Sequence, residues 1–122
     1  MTSETRETRE NARREAQTIL AQLGGNKFIA MTGATKIGWE YDAETGNSQF
    51  HCMFKGSKKT NLLIVVLDYA TDTYRMIFKS FRNYKITDKD VFENVYCDML
   101  QNIFTEVTGL SLSGYWYSET IA

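Results

Sequence analysis

Arg75, Lys79 and Arg82 recur along one short stretch of this chain, with Phe81 and Tyr84 beside them. From Arg75 to Lys85 there are four basic residues and no acidic one. A little upstream, Lys58 and Lys59 stand in a polar loop. Residues of these types in this pattern can hold a nucleic acid. Ammonium and guanidinium groups neutralise phosphates and release their counterions, and flat rings stack on bases. The expected site is therefore Lys58, Lys59, Arg75, Lys79 and Arg82 on phosphates, with Phe81 and Tyr84 stacking. The same pattern also fits an ordinary half-exposed strand whose Lys and Arg keep it in solution. The two readings differ in salt dependence: replacing Arg75, Lys79 and Arg82 with Gln is expected to abolish direct nucleic-acid binding.

Other chemistries find few residues. His51 is the one histidine, so any Ser-His-Asp or Cys-His arrangement would need it. Its neighbour Cys52 would point to the opposite face of a strand. Zinc sites draw on several Cys and His at set spacing, and one His with two scattered Cys does not supply them. No GxxxxGK[ST] phosphate loop occurs. Gly24-Gly25 reads as a helix stop, and Asp88 and Asp90 as the acidic first turn of a helix. No catalytic residue, metal ligand or cofactor is assigned. The remaining candidate is Tyr115-Trp116-Tyr117, where large aromatics can anchor a protein partner. Core or edge-strand packing explains that tail equally well. If it is the contact, binding should be lost with Trp116→Ala.

The elements that position these residues centre on Leu62 to Arg82. Leu62-Leu63-Ile64-Val65-Val66-Leu67 is a short β-branched apolar run, a strand rather than a helix, with apolar residues on both faces. Asp68 to Thr73 is a polar turn. The chain returns with Tyr74, Met76 and Phe78 facing a core and Arg75, Ile77, Lys79 and Phe81 facing at least partly to water. Lys36–Tyr41 and Gln49–Lys55 alternate as two earlier strands around a turn at 42–47. Thr2 to Leu23 reads as a helix with Ala12, Ala16, Ile19, Leu20 and Leu23 at helical spacing. Residues 27–31 read as a short helical or extended linker. Thr87-Asp88-Lys89-Asp90 resembles a capping box, opening a long helix through Val91, Phe92, Val95, Met99, Ile103, Phe104 and Val107 to Gly109. The expectation is one α+β domain over residues 1–122. It has an N-terminal helix, a four-stranded antiparallel meander and a C-terminal amphipathic helix packed on one face. Residues 1–10 bury almost nothing, and 110–122 form the aromatic tail.

Composition is that of a globular chain of 122 residues. No apolar run approaches the ~18 residues of a membrane span, and the N-terminus lacks the apolar core of a secretory signal. The host-cell cytoplasm is the expected compartment, with Cys52 and Cys97 reduced and packed. Residues 27–86 carry nine Lys/Arg and five Asp/Glu, whereas residues 87–122 carry one Lys and six Asp/Glu. A polyanion should thus meet the sheet.

Two segments add a resemblance. Gly24-Gly25-Asn26-Lys27-Phe28-Ile29-Ala30-Met31-Thr32-Gly33-Ala34 and Asp98-Met99-Leu100-Gln101-Asn102-Ile103-Phe104-Thr105-Glu106-Val107-Thr108-Gly109-Leu110 resemble the opening and close of a family of small uncharacterised proteins from bacteriophages and integrated elements. The resemblance implies a phage or mobile-element origin and a small compact domain. It carries no established activity and hence no functional residues. The strands between the two segments and the tail after Leu110 depart from the pattern. The expected function is a small non-catalytic accessory protein binding nucleic acid through the basic-aromatic sheet face. The alternatives are a counter-defence inhibitor of the anti-CRISPR kind, binding a host nucleic-acid-handling protein, and small-molecule sequestration. A homodimer through Ile64, Val66 and Ile77 is a further expectation.

Overall fold

The apolar run at 62–67 becomes the middle strand of a sheet. A computed structural model describes residues 2–110 and Leu112, with side chains from residue 9 onward. Five strands follow each other in space as in sequence: β1 (Thr35–Asp42), β2 (Asn47–Met53), β3 (Leu62–Asp68), β4 (Thr73–Arg82) and β5 (Lys85–Val95). Every neighbouring pair is antiparallel. Among the described residues there are also three helices, α1 (Thr2–Leu23), α2 (Asn26–Thr32) and α3 (Leu100–Thr108), the last preceded by a tight turn at Cys97–Met99.

The pleat sorts side chains into two faces. Phe50, Val65, Met76 and Phe92 form one continuous row across four strands. With Cys52, Leu63, Tyr74, Phe78 and Val95 they meet Ala16, Ile19 and Leu23 of α1, Phe28 of α2 and Leu100 and Phe104 of α3. All three helices therefore lie on one face. Phe104 is the hub: its ring lies 5.3 Å from that of Phe28, 5.1 Å from Phe54 and 6.2 Å from Phe78. Residues 24–34 and 98–110 thus touch through Phe28 and Phe104. Polar contacts fix α1 on the sheet and on α3. Tyr74 Oη donates to Gln22 Oε1 at 2.7 Å, Gln101 Nε2 donates to the Gln22 carbonyl at 3.0 Å, and Ser48 Oγ donates to Glu15. Helices α2 and α3 both end on a left-handed glycine, Gly33 and Gly109, whose N–H closes the last turn.

The expected long helix from Thr87 is not formed. Residues 85–95 are a fifth strand, and the C-terminal helix is confined to Leu100–Thr108. Asn83 and Tyr84 both have positive φ, 53° and 61°, and pair Arg82 with Lys85 across a two-residue hairpin turn. That turn twists the chain straight back along β4. Thr87 lies opposite Ser80 rather than capping a helix. The β4–β5 register shifts twice, and the bulge between Phe92 and Val95 puts both on the core face although they are three residues apart, while Val91 faces the other way. The N-terminal helix and the meander stand as expected, with one strand more. Residues 26–32 are a helix. Tyr115, Trp116 and Tyr117 lie outside the described residues.

Candidate nucleic-acid interface

The row Gly38, His51, Ile64, Ile77 and Val91 crosses all five strands and divides the sheet into two halves of opposite charge. One half holds the start of β1, the β2–β3 loop and the β4–β5 hairpin. It carries Lys36, Lys55, Lys58, Lys59, Lys79, Arg82, Lys85 and Lys89 against Asp88 and Asp90, a net of +6. The other half holds the β1–β2 and β3–β4 turns. It carries Glu40, Asp42, Glu44, Asp68, Asp72 and Glu93 against Arg75 alone, a net of −5. Such a split focuses a polyanion on one end of the sheet.

Six of the seven residues expected to bind nucleic acid share the basic half. The seventh, Arg75, stands among acids, beside Glu40, Asp42 and Gln49 in a shallow depression, and its Nε lies 3.9 Å from Glu93 Oε1. The β2–β3 loop is tied down on the basic half. Asn61 acts as a piece of backbone: its Nδ2 donates to the Phe81 carbonyl at 2.9 Å, and the Phe81 N–H donates to its Oδ1 at 2.7 Å. Thr60 Oγ1 donates to the Lys79 carbonyl at 2.5 Å. Arg82 Nε donates to Ser80 Oγ at 3.2 Å. The β2–β3 loop and the end of β4 are therefore held together at the sheet end.

Strand β5 also brings counter-charges that the sequence assigned to a helix. Lys79 Nζ lies 3.2 Å from Asp88 Oδ1 and Lys59 Nζ lies 3.0 Å from Asp90 Oδ2. The two pairs differ. Asp88 is 82% exposed, so its pair is weak and exchangeable. Asp90 Oδ2 is shielded from water and makes no hydrogen bond among the described residues, so Lys59 is its ionic partner and is tied to that role. Lys58 has no such partner among the described residues. Lys36, Lys55 and Lys85, to which the sequence reading gave no phosphate, share this basic half. The signal was there in Lys85, two positions past an Asn that starts a turn.

Tyr84 is 98% exposed. Its backbone sits in the left-handed region, which costs a non-glycine residue roughly 1–2 kcal/mol. No packing offsets that cost. The ring stands out in water, with Arg82 and Lys85 on either side of the turn. Phe81, at 37% exposed, lies on the same β4 end.

His51 and Cys52 point to opposite faces, Cys52 into the core and His51 over Gly38. Burial pushes the Cys52 thiol up to about 12, which keeps it protonated and unreactive. Both cysteines are free, and Cys97, expected to pack, is exposed. Among the described residues no group of three or more His, Cys, Asp and Glu could hold a metal ion. No helix among them is long and apolar enough to cross a membrane. No protein-family model, curated protein or solved structure matches this chain.

Proposed function

We propose that this chain is a non-catalytic accessory protein that holds single-stranded nucleic acid on the basic half of its sheet. Tyr84 carries the reading. It occupies a turn position that favours glycine, buries nothing, and stands between two cations. Stacking on such a ring needs an unpaired base, which selects single strands over a duplex. Phe81 offers a second platform, and Lys58, Arg82 and Lys85 meet the flanking phosphates. Lys79 joins them when a phosphate displaces Asp88. Arg75 is left out, because Glu93 and the acidic half would repel the backbone there. The two phage-like segments fit this role by providing a small scaffold that supports the sheet from its other face.

Photo-cross-linking to an oligonucleotide carrying 5-bromouracil tests the assignment. The expected adduct maps to Tyr84 or Phe81. Adducts only on the acidic half, or none at low salt with the oligonucleotide in excess, would overturn it.

A further inference from the structure

The sheet face away from the helices has a pattern of its own. Leu62, Ile64, Val66, Ile77 and Val91 run across its middle; Val66 is buried, Leu62, Ile64 and Ile77 are half-buried, and none of them joins the cluster packed against the helices. Val91 is 56% exposed. The basic half lies along one side of this band and the acidic half along the other. Five strands about 4.8 Å apart, each some seven residues long, offer a face on the order of 500 Å². Two such faces together come near the low end of specific interfaces, about 1,200 Å².

We infer that this face binds the same face of a second copy, with the two sheets stacked so that strand directions are reversed. A face can stack on itself about two in-plane two-fold axes. An axis along the strands lays the basic half on the basic half of the partner. An axis across the strands lays each basic half on the partner's acidic half. The basic end of each sheet then lies over the acidic end of the other, twice in one closed, self-complementary contact. The apolar row Ile64, Ile77 and Val91 falls on that axis, so Val91 meets its own copy. Leu62 of one chain faces Val66 of the other. The modest area makes this a reversible dimer whose population follows concentration and falls with salt. The dimer covers the basic half and so competes with nucleic acid for it; the inference rests on the apolar band and the charge split, and it is tested without nucleic acid.

Sedimentation velocity over a wide concentration range, at low and at high salt, gives the first readout. The expected result is a monomer–dimer equilibrium that salt weakens. Val91→Lys, on an exposed position, should keep the folded circular-dichroism spectrum and abolish the dimer; Ile64→Lys serves as a second variant. Orientation is read with a short bis-maleimide on a Cys97→Ser background. Leu62→Cys and Val66→Cys chains should cross-link when mixed and not when each is alone. A monomer at every concentration, a dimer indifferent to a folded Val91→Lys chain, or cross-linking of Leu62→Cys chains with themselves overturns the inference. Deleting residues 113–122 separates one rival occupant. If the chain is monomeric until the tail is removed, the tail and not a second copy fills the face.

Discussion

Replacing Tyr84 with glycine should make the protein more stable and less able to bind. The hairpin turn at Asn83-Tyr84 has both residues at positive φ. Asn-Gly is the pair such a turn favours most. Tyr84→Gly removes a left-handed penalty of roughly 1–2 kcal/mol and returns part of it as the added freedom of glycine in the unfolded chain. The side chain is 98% exposed, so no packing is lost. The net expectation is a gain of about 0.5–1 kcal/mol, read as a higher urea midpoint with an unchanged slope. The same variant loses a stacking platform worth about 1–3 kcal/mol per base, roughly 5- to 150-fold in Kd for a short oligonucleotide. Chemical unfolding and fluorescence anisotropy on one preparation give both numbers. A less stable variant refutes the strain argument. A more stable variant with unchanged affinity refutes the role given to Tyr84.

The remaining expectations draw on other parts of the molecule. Asp88→Asn should tighten oligonucleotide binding by up to about fivefold at low salt, since an exposed pair with Lys79 is worth at most about 1 kcal/mol. The matching change Asp72→Asn, in the acidic half, alters net charge equally and should leave anisotropy titrations almost unchanged. Phe104→Ala empties the centre of four rings and should cost about 3–5 kcal/mol by denaturant unfolding. The Cys52 thiol stays protonated in the fold up to about pH 12, while an unfolded one ionises from its ordinary value near 9. The unfolded state therefore binds fewer protons in that window, and stability falls with rising pH by at most about 1.4 kcal/mol per unit. Cys52→Ala should remove that part of the slope, and a thiol reagent at neutral pH should label Cys97 alone.

The sheet was largely legible because alternation is a local property. Tyr74, Met76 and Phe78 against Arg75, Ile77 and Lys79 declare their faces without help from the rest of the chain. Likewise the α1 stripe Ala12, Ala16, Ile19 and Leu23 is buried as its spacing requires. The fifth strand was not legible, for a physical reason. Bulges break its alternation, and Thr87-Asp88-Lys89-Asp90 satisfies the local chemistry of a helix start. What decides the matter is a two-residue turn without glycine, whose strained conformation the hairpin enforces. That one element also altered the site. It moved Asp88 and Asp90 from a distant helix to the side of Lys79 and Lys59, and placed Arg75 opposite Glu93. The separation of the sheet into a basic and an acidic half is a property of register. It exists only once Lys36, Lys58, Arg82 and Lys85, far apart in sequence, come to the same end.

The central claim is that the basic half of the sheet is a single-strand binding surface, and the salt dependence of affinity tests it most directly. Anisotropy of a labelled single strand and of a duplex would be followed between about 50 and 200 mM salt, a range in which phosphate contacts separate clearly. The account predicts tighter binding of the single strand. It also predicts a log–log slope that falls in magnitude by about 2 when Lys58, Arg82 and Lys85 become Gln, close to 0.7 for each lost contact. Equal slopes for the triple variant and the parent, or no binding of either at the lowest salt, would contradict it.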